Sequence, residues 1–205
     1  FWELKYRCPV GKTISEKILS RVIGKSVRAG EIIYPEPDLI TLHDWYVVNF
    51  DMALTDLKVK KLYAPEKVLI STDHEPVAVS LHSAERQKKV REIVKKYGIS
   101  NFFDVGRGGQ GHVFPIELGM IHPGMFVAAY DVHATNFGAV GALAIPLVIE
   151  ISEVLACGSV WLKVPETVRI KLSGKFSPGT TARDLAQKII SDLSSTIVDY
   201  SVVEY

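Results

Sequence analysis

Asp73 and His74 are adjacent in KVLISTDHEPV, His112 closes the glycine-rich GRGGQGH, and Asp131 and His133 stand two apart in DVHATNFGAVGALA. A carboxylate beside an imidazole fixes its tautomer and raises its pKa. That suits the histidine to proton transfer or to holding an anionic substrate. Glycines 106, 108, 109 and 111 let backbone N–H groups come close to a carboxylate or phosphate. Arg107, set among them, has the planar fork to clamp a carboxylate, although an ion pair with Asp104 is the simpler role. Each Asp/His turn taken singly also fits a structural hydrogen bond, because buried imidazoles need partners. GRGGQG is likewise either a surface loop or an anion cradle. It is not read as a nucleotide-binding motif, and no P-loop Lys-Ser/Thr pair follows it. Three such turns at successive strand ends shift the balance toward one shared site. His82 and His122, beside a helix start and a Pro-Gly turn, are read as solvated.

These side chains need a scaffold that brings strand ends together. Thr13 and Glu16 in TISEKILSRVIGK form a capping-box pattern, with Ile14, Ile18, Leu19 and Ile23 near helical spacing and Gly24 as a stop. EIIYPEPDLITLHDW reads as extended segments broken by Pro35 and Pro37. KVLIST is a short β-branched run ending in a polar turn, the form of a buried parallel strand that delivers side chains at its carboxyl end. SAERQKKVREIVKKYGI is a charged amphipathic helix with Val90, Ile93, Val94 and Tyr97 on one side, Gly98 at its end and a solvated lysine-rich face. NFFDVG, MFVAAYD and VWLKVPETVRIKLSG are expected strands, with Trp161 in the core, and TARDLAQKIISDL is a helix capped by Thr181 with Asp184 three on. This alternation predicts an α/β layered fold. No internal repeat, low-complexity linker or domain boundary is visible in the sequence.

Composition narrows the function classes. The 205 residues are 47% hydrophobic and 23% charged, enough to bury a real core. The 24 basic and 23 acidic side chains are spread along the chain for a net charge of +1, so neither nucleic acid nor a membrane surface is an expected partner. The longest apolar run, AVGALAIPLVI, is broken by Pro146 and falls short of the roughly 20 residues of a membrane span. No secretory signal is read at the start, and a cytoplasmic location, or an organelle matrix, is expected. Cys8 and Cys157 offer neither a CxxC pair nor a disulfide framework; Cys157, in apolar surroundings, is expected to be a buried structural thiol.

The order of motifs carries a resemblance. TISEKIL, LHD, DH, NFFDVGRG, HPGM, DVHATNFGAVGALA, GSVWLKVPETV and TARDLAQKII follow one another as in the large subunit of isopropylmalate isomerase and homoaconitase, members of the aconitase superfamily. The resemblance runs from about Lys12 to the end. It implies a three-layer α/β/α aconitase-like domain with a mainly parallel sheet over 13–205, the first part of a large subunit, behind an N-terminal extension at 1–12. It also implies a hydro-lyase that moves a hydroxyl between adjacent carbons of a di- or tricarboxylic acid. Asp73, His74, His112, Asp131 and His133 match the family's catalytic positions, and His43 of LHD matches a substrate-side position. Arg107, Gly108 and Gly109 are the candidates for binding a substrate carboxylate. A small subunit or C-terminal aconitase-type domain is the implied partner.

The chain departs from the family wording at three places. DVHA stands where relatives read DSHT, so Val132 and Ala134 replace hydroxyl side chains. GGQGH replaces a turn of the GICHQ kind and puts Val113 after the histidine. Pro146, Leu147 and Val148 are expected to crowd a pocket that relatives keep open. The family's [4Fe–4S] cluster takes three cysteine thiolates from a later region, and neither Cys8 nor Cys157 matches a ligand position. The resemblance therefore implies a cluster whose ligands are not in this chain. A catalytically degenerate scaffold or assembly subunit, or a cluster-free hydratase or isomerase, is the alternative.

Overall fold

The structure is a computed structural model that describes residues 2–5, 11–193 and 198–205. Cys8 and most of the expected N-terminal extension lie outside the described residues. In chain order the elements are β1 (Trp2–Lys5), α1 (Ile14–Ile23), β2 (Ile32–Ile33), β3 (Leu39–His43), α2 (Asp44–Asp56), β4 (Val68–Ser71), α3 (Leu81–Tyr97) and β5 (Asn101–Phe103). There follow α4 (Phe114–Glu117), β6 (Phe126–Ala129), a 3-10 helix (Val132–Val140), β7 (Leu143–Pro146), α5 (Ile151–Cys157), β8 (Leu162–Lys163), β9 (Glu166–Leu172), α6 (Ala182–Leu193) and β10 (Ser201–Glu204). They divide into two compact units, residues 34–162 and the combination of 1–33 with 163–205. A unit assembled from both chain ends needs no linker, so composition carries no trace of the division.

In the 34–162 unit five parallel strands form one sheet in the order β5-β4-β3-β6-β7. Alternate residues of its central strands go to opposite faces. Ile40, Leu42, Val68, Ile70 and Ala128 pack with Val47 and Phe50 of α2, Val90 and Val94 of α3 and Val154 and Leu155 of α5. Leu39, Leu69, Val127 and Ala129 pack on the other face with Phe114, Met125 and Phe137. Burial on both faces is what a parallel sheet requires, and it explains why β3, β4 and β6 read as near-continuous apolar runs. The α/β/α layering expected from the resemblance is present.

The helix ends follow local chemistry. The Thr13 hydroxyl accepts the Glu16 N–H at 3.2 Å while the Glu16 carboxylate accepts the Thr13 N–H at 3.0 Å, and Gly24 ends α1 with a left-handed φ of 74°. Ser80 and Ser83 make the same reciprocal pair at the start of α3, so that helix begins at Leu81, two residues earlier than expected. At α6 the Thr181 hydroxyl and N–H both donate to Asp184, at 2.7 and 2.8 Å. The other unit pairs β9 with β1 antiparallel and with β10 parallel, and packs Ile170 of β9 on Ile189 and Leu193 of α6.

Four expectations are corrected. α2 occupies DWYVVNFDMALTD, of which only Asp44 and Trp45 belong to the stretch expected to be extended and the rest carries no expectation; Val47, Phe50 and Leu54 are spaced to bury one helical face under the sheet. The strand expected through VWLKVPETVRIKLSG divides into β8 and β9 around Val164 and Pro165, since proline cannot donate to a ladder. Val160 and Val164 are buried, but Trp161 between them is 56% exposed rather than in the core. Cys157 is an exposed free thiol at the last turn of α5, because its apolar neighbours Val154 and Leu155 take the buried face and turn it outward.

Candidate active site

Parallel strands end on one side of their sheet, and the loops beyond those ends are where α/β folds build sites. β3 ends in His43, β4 leads through Ser71 and Thr72 to Asp73 and His74, β5 leads into the glycine turn that carries His112, and β6 leads to Asp131. Asp131 then caps the 3-10 helix, its carboxylate accepting the His133 N–H at 2.7 Å. Four separate strand exits thus deliver histidines to one place.

Asp131 is the centre of that place. Its Oδ2 lies 3.6 Å from His74 Nε2 and 3.8 Å from His43 Nε2. Its Oδ1 lies 3.6 Å from His112 Nε2 and 2.7 Å from His133 Nδ1. Only the last separation is a hydrogen bond. His74 Nδ1 sits 2.9 Å from Asp73 Oδ1, and the Gly111 N–H donates to Asp73 Oδ2 at 2.6 Å. A Cβ on Gly111 would stand 2.6 Å from both Asp73 Oδ2 and Ser71 Oγ, so glycine is required there for close approach. The His43 ring stacks on His74 and also meets Tyr130, which stacks in turn on Tyr46 with centroids 3.7 Å apart.

Burial sets the protonation of the inner histidines. Desolvation, followed by the neighbouring His74, pushes the His43 pKa down to about 4. Burial likewise lowers that of His112, against the pull of Asp131 and Asp73. For Asp131 burial works against ionisation, but the backbone and side-chain bonds from His133 outweigh it and hold the carboxyl below its usual value. The site therefore keeps an ionised carboxylate beside two neutral imidazoles.

The other candidates have different contacts. Arg107 is exposed, and Asp104 takes its two-point pair from Arg91, at 2.6 and 3.1 Å, instead of from Arg107. Gly108 and Gly109 back onto Phe103 and Phe114. No hydrogen bond or ion pair joins these three to the Asp131 cluster among the described residues. Gly106, Gly108 and Gly111 do fall at G-x-G-x-x-G spacing, but only the four-residue α4 follows them, not the crossover helix that a dinucleotide site needs. His122 is exposed, and His82, also exposed, contacts Arg86 at 3.1 Å.

Two groups escaped the sequence reading. Asp44 is 2% exposed, and its two carboxylate oxygens accept the N–H groups of His74 and Glu75, each at 3.1 Å. The sequence signal was its place directly after His43. A cleft of about 520 Å³ opens beside His43 between α2 and α3, lined by Trp45, Asn49, Arg86, Lys89 and Tyr130. Its two walls are far apart in sequence and one belongs to the unread helix. A second, much smaller space of about 10 Å³ lies among His43, Asp73, His112 and Asp131, the size of one water.

Comparison with known proteins agrees with this architecture. The aconitase family (aconitate hydratase) matches residues 16–205. The chain belongs to the aconitase family. Within it, the chain is similar to the homoaconitase large subunit of Thermus thermophilus, with 39% identity over 196 residues, 95% of this chain and 46% of that protein. It is also similar to 3-isopropylmalate dehydratase large subunit 1 of Methanopyrus kandleri, with 34% identity over 197 residues, 96% of this chain and 47% of that one. The 3-isopropylmalate dehydratase large subunit of Aquifex aeolicus is 35% identical over 201 residues, 96% of this chain and 46% of that one. The chain thus spans about half the length of these aconitase-family relatives. No helix among its described residues is long and apolar enough to cross a membrane.

The family's iron–sulfur cluster does not fit the residues present. A cubane of this kind needs several convergent thiolates. The chain has two cysteines, of which Cys8 lies outside the described residues and Cys157 is exposed on α5 and is not grouped with His112, Asp131 and His133.

Proposed function

We propose that this chain provides the proton-transfer part of a hydro-lyase acting on a hydroxy di- or tricarboxylic acid, of the isopropylmalate-isomerase and homoaconitase type. The observation that carries the reading is the convergence of four histidines from four strand exits on the Asp131 carboxylate. Asp73 engages His74 Nδ1 and so leaves Nε2, which faces Asp131 Oδ2, as the atom that exchanges a proton with substrate. In the dehydration direction a base from polypeptide outside these residues takes the proton of the neighbouring carbon, and the C–H pair forms the double bond as the C–O bond breaks. His74 Nε2 gives its proton to the departing hydroxyl, which leaves as water. In hydration it takes a proton back from the incoming water. Asp131 orients His133 and balances the charge that forms on the imidazoles. His43, on the wall of the cleft, contacts substrate there, and Arg107, Gly108 and Gly109 remain candidates for a substrate carboxylate on sequence grounds. No step of this proton path runs through a cluster. Cluster ligands and the remaining carboxylate contacts would come from polypeptide outside these 205 residues, including a small-subunit partner of the kind the relatives' names imply.

The test is an anaerobic purification together with whatever polypeptides accompany the chain, followed by assays of hydration and dehydration of isopropylmalate- and homocitrate-type acids. Turnover that falls by about 10²–10⁴ in His74→Ala supports the reading. Turnover untouched by that change overturns it. A second reading, a catalytically degenerate scaffold, is favoured by Val132. This apolar side chain is 59% exposed beside the cluster, at the position where the resemblance places a hydroxyl. Stable assembly with partners and no turnover on any such acid would select it.

A further inference from the structure

The separations around Asp131 are unusual for side chains that have only one another as partners. His112 is buried, with its side chain 10% exposed, yet its Nδ1 has no hydrogen-bond partner and its Nε2 points at Asp131 Oδ1 from 3.6 Å. That distance is too long for a hydrogen bond. It is close to the ~3.4 Å that separates two donors of one tetrahedral ion bound at ~2.0–2.1 Å. His133 offers Nδ1 to the same oxygen from 2.7 Å, and the three donor atoms lie within 4.8 Å of one another. His133 is itself 77% exposed, so the outer side of the trio is open to water.

We propose that His112, Asp131 and His133 form a binding site for a single divalent transition-metal ion, with zinc(II) as the fitting test ion. Two imidazoles and one carboxylate are a donor set that suits zinc or ferrous iron rather than magnesium or calcium, which prefer all-oxygen shells. Three protein donors leave a coordination position for water on the exposed side, the pattern of an open zinc site. The His133 Nδ1 proton now shared with Asp131 would be displaced by the ion. The backbone supports the arrangement: the His133 N–H fixes the Asp131 carboxylate, and the Asn136 side-chain amide donates to the His112 carbonyl at 2.8 Å. The inference goes beyond the hydro-lyase reading and does not need it. It concerns residues of this chain alone and is distinct from a thiolate-held cluster.

The experiment is a zinc(II) titration of the full chain, in the assembly in which it purifies, against a chromophoric chelator, with cobalt(II) absorption as the report on geometry. The expected result is one ion per chain, a cobalt spectrum of low coordination number, and affinity reduced by about 100-fold or more in His112→Ala, His133→Ala and Asp131→Asn. Loss of a ligand should exceed the roughly 10–100-fold cost of losing an outer-shell partner. His133→Ala alters an exposed side chain and Asp131→Asn conserves shape, so a failure to fold in His112→Ala leaves the test intact. The control double variant His82→Ala with His122→Ala should bind as the wild type does. The proposal is overturned if the wild type takes up no zinc, or if the ligand variants bind as tightly as the control. Zinc binding without turnover would sink only the hydro-lyase reading, and turnover without zinc binding only this one.

Discussion

The imidazole rings of His43 and His74 stack face to face, with centroids 3.9 Å apart and an interplanar angle of 23°. A proton on His43 is opposed first by burial and then by this neighbour, which places its pKa at about 4. In an imidazole NMR titration His43 should stay neutral until well below pH 5, and His74→Ala should raise its midpoint. A wild-type midpoint near the usual 6.5 would refute the assignment. The sign for stability follows. Between 6.5 and about 4 the unfolded chain binds a proton that the native chain excludes. The contribution of His43 is therefore complete above that window and is lost as the pH falls through it.

Gly111 tests how tightly the glycine turn is docked. Its N–H reaches Asp73 at 2.6 Å, and a methyl group there would meet Asp73 Oδ2 and Ser71 Oγ at 2.6 Å each. Gly111→Ala should destabilise the fold by about 1–3 kcal/mol in urea unfolding. Gly109→Ala, whose nearest contact would be Phe114 Cβ at an ordinary 3.4 Å, should cost less than about 1 kcal/mol. Equal effects from the two changes would contradict the geometry.

Asp44 holds the turn that presents His74. Replacing it by alanine strips the His74 and Glu75 amides of their partner. The expected loss is about 2–4 kcal/mol of unfolding free energy, with faster hydrogen exchange at those two amides and at few others. An unchanged exchange rate at His74 would show that the carboxylate does not position it.

Glu16 supplies an acid-sensitive contact in the other unit. Burial favours its neutral form, but bonds from the Thr13 and Ala29 N–H groups and the charge of Arg28 prevail and hold the carboxyl below its usual 4.5. Its contribution is therefore present above pH 4.5 and is lost as the pH falls through the lower folded value. Glu16→Gln should cost about 1 kcal/mol at neutral pH and flatten the acid limb of the stability curve. An acid limb identical to that of the wild type would rule this contribution out.

Local chemistry made much of this protein legible in one dimension. The Thr13/Glu16 box, the glycine stops at Gly24 and Gly98, and the apolar faces of α1 and α3 depend on residues within a turn or two of each other, so spacing alone reports them. β4 and β6 were visible because strands buried on both faces read as continuous apolar runs. The ordered motifs marked the aconitase family, and the Asp/His turns marked which strand ends to watch. What spacing does not encode is which side chains from distant loops share a volume. The meeting of His43, His74, His112 and His133 on Asp131 depends on strand order and register in the parallel sheet. The same holds for Asp44, whose role appears only when the turn after β4 folds over the start of α2. It holds too for the outward turn of Trp161 and Cys157, since apolar neighbours in sequence need not be neighbours in the core.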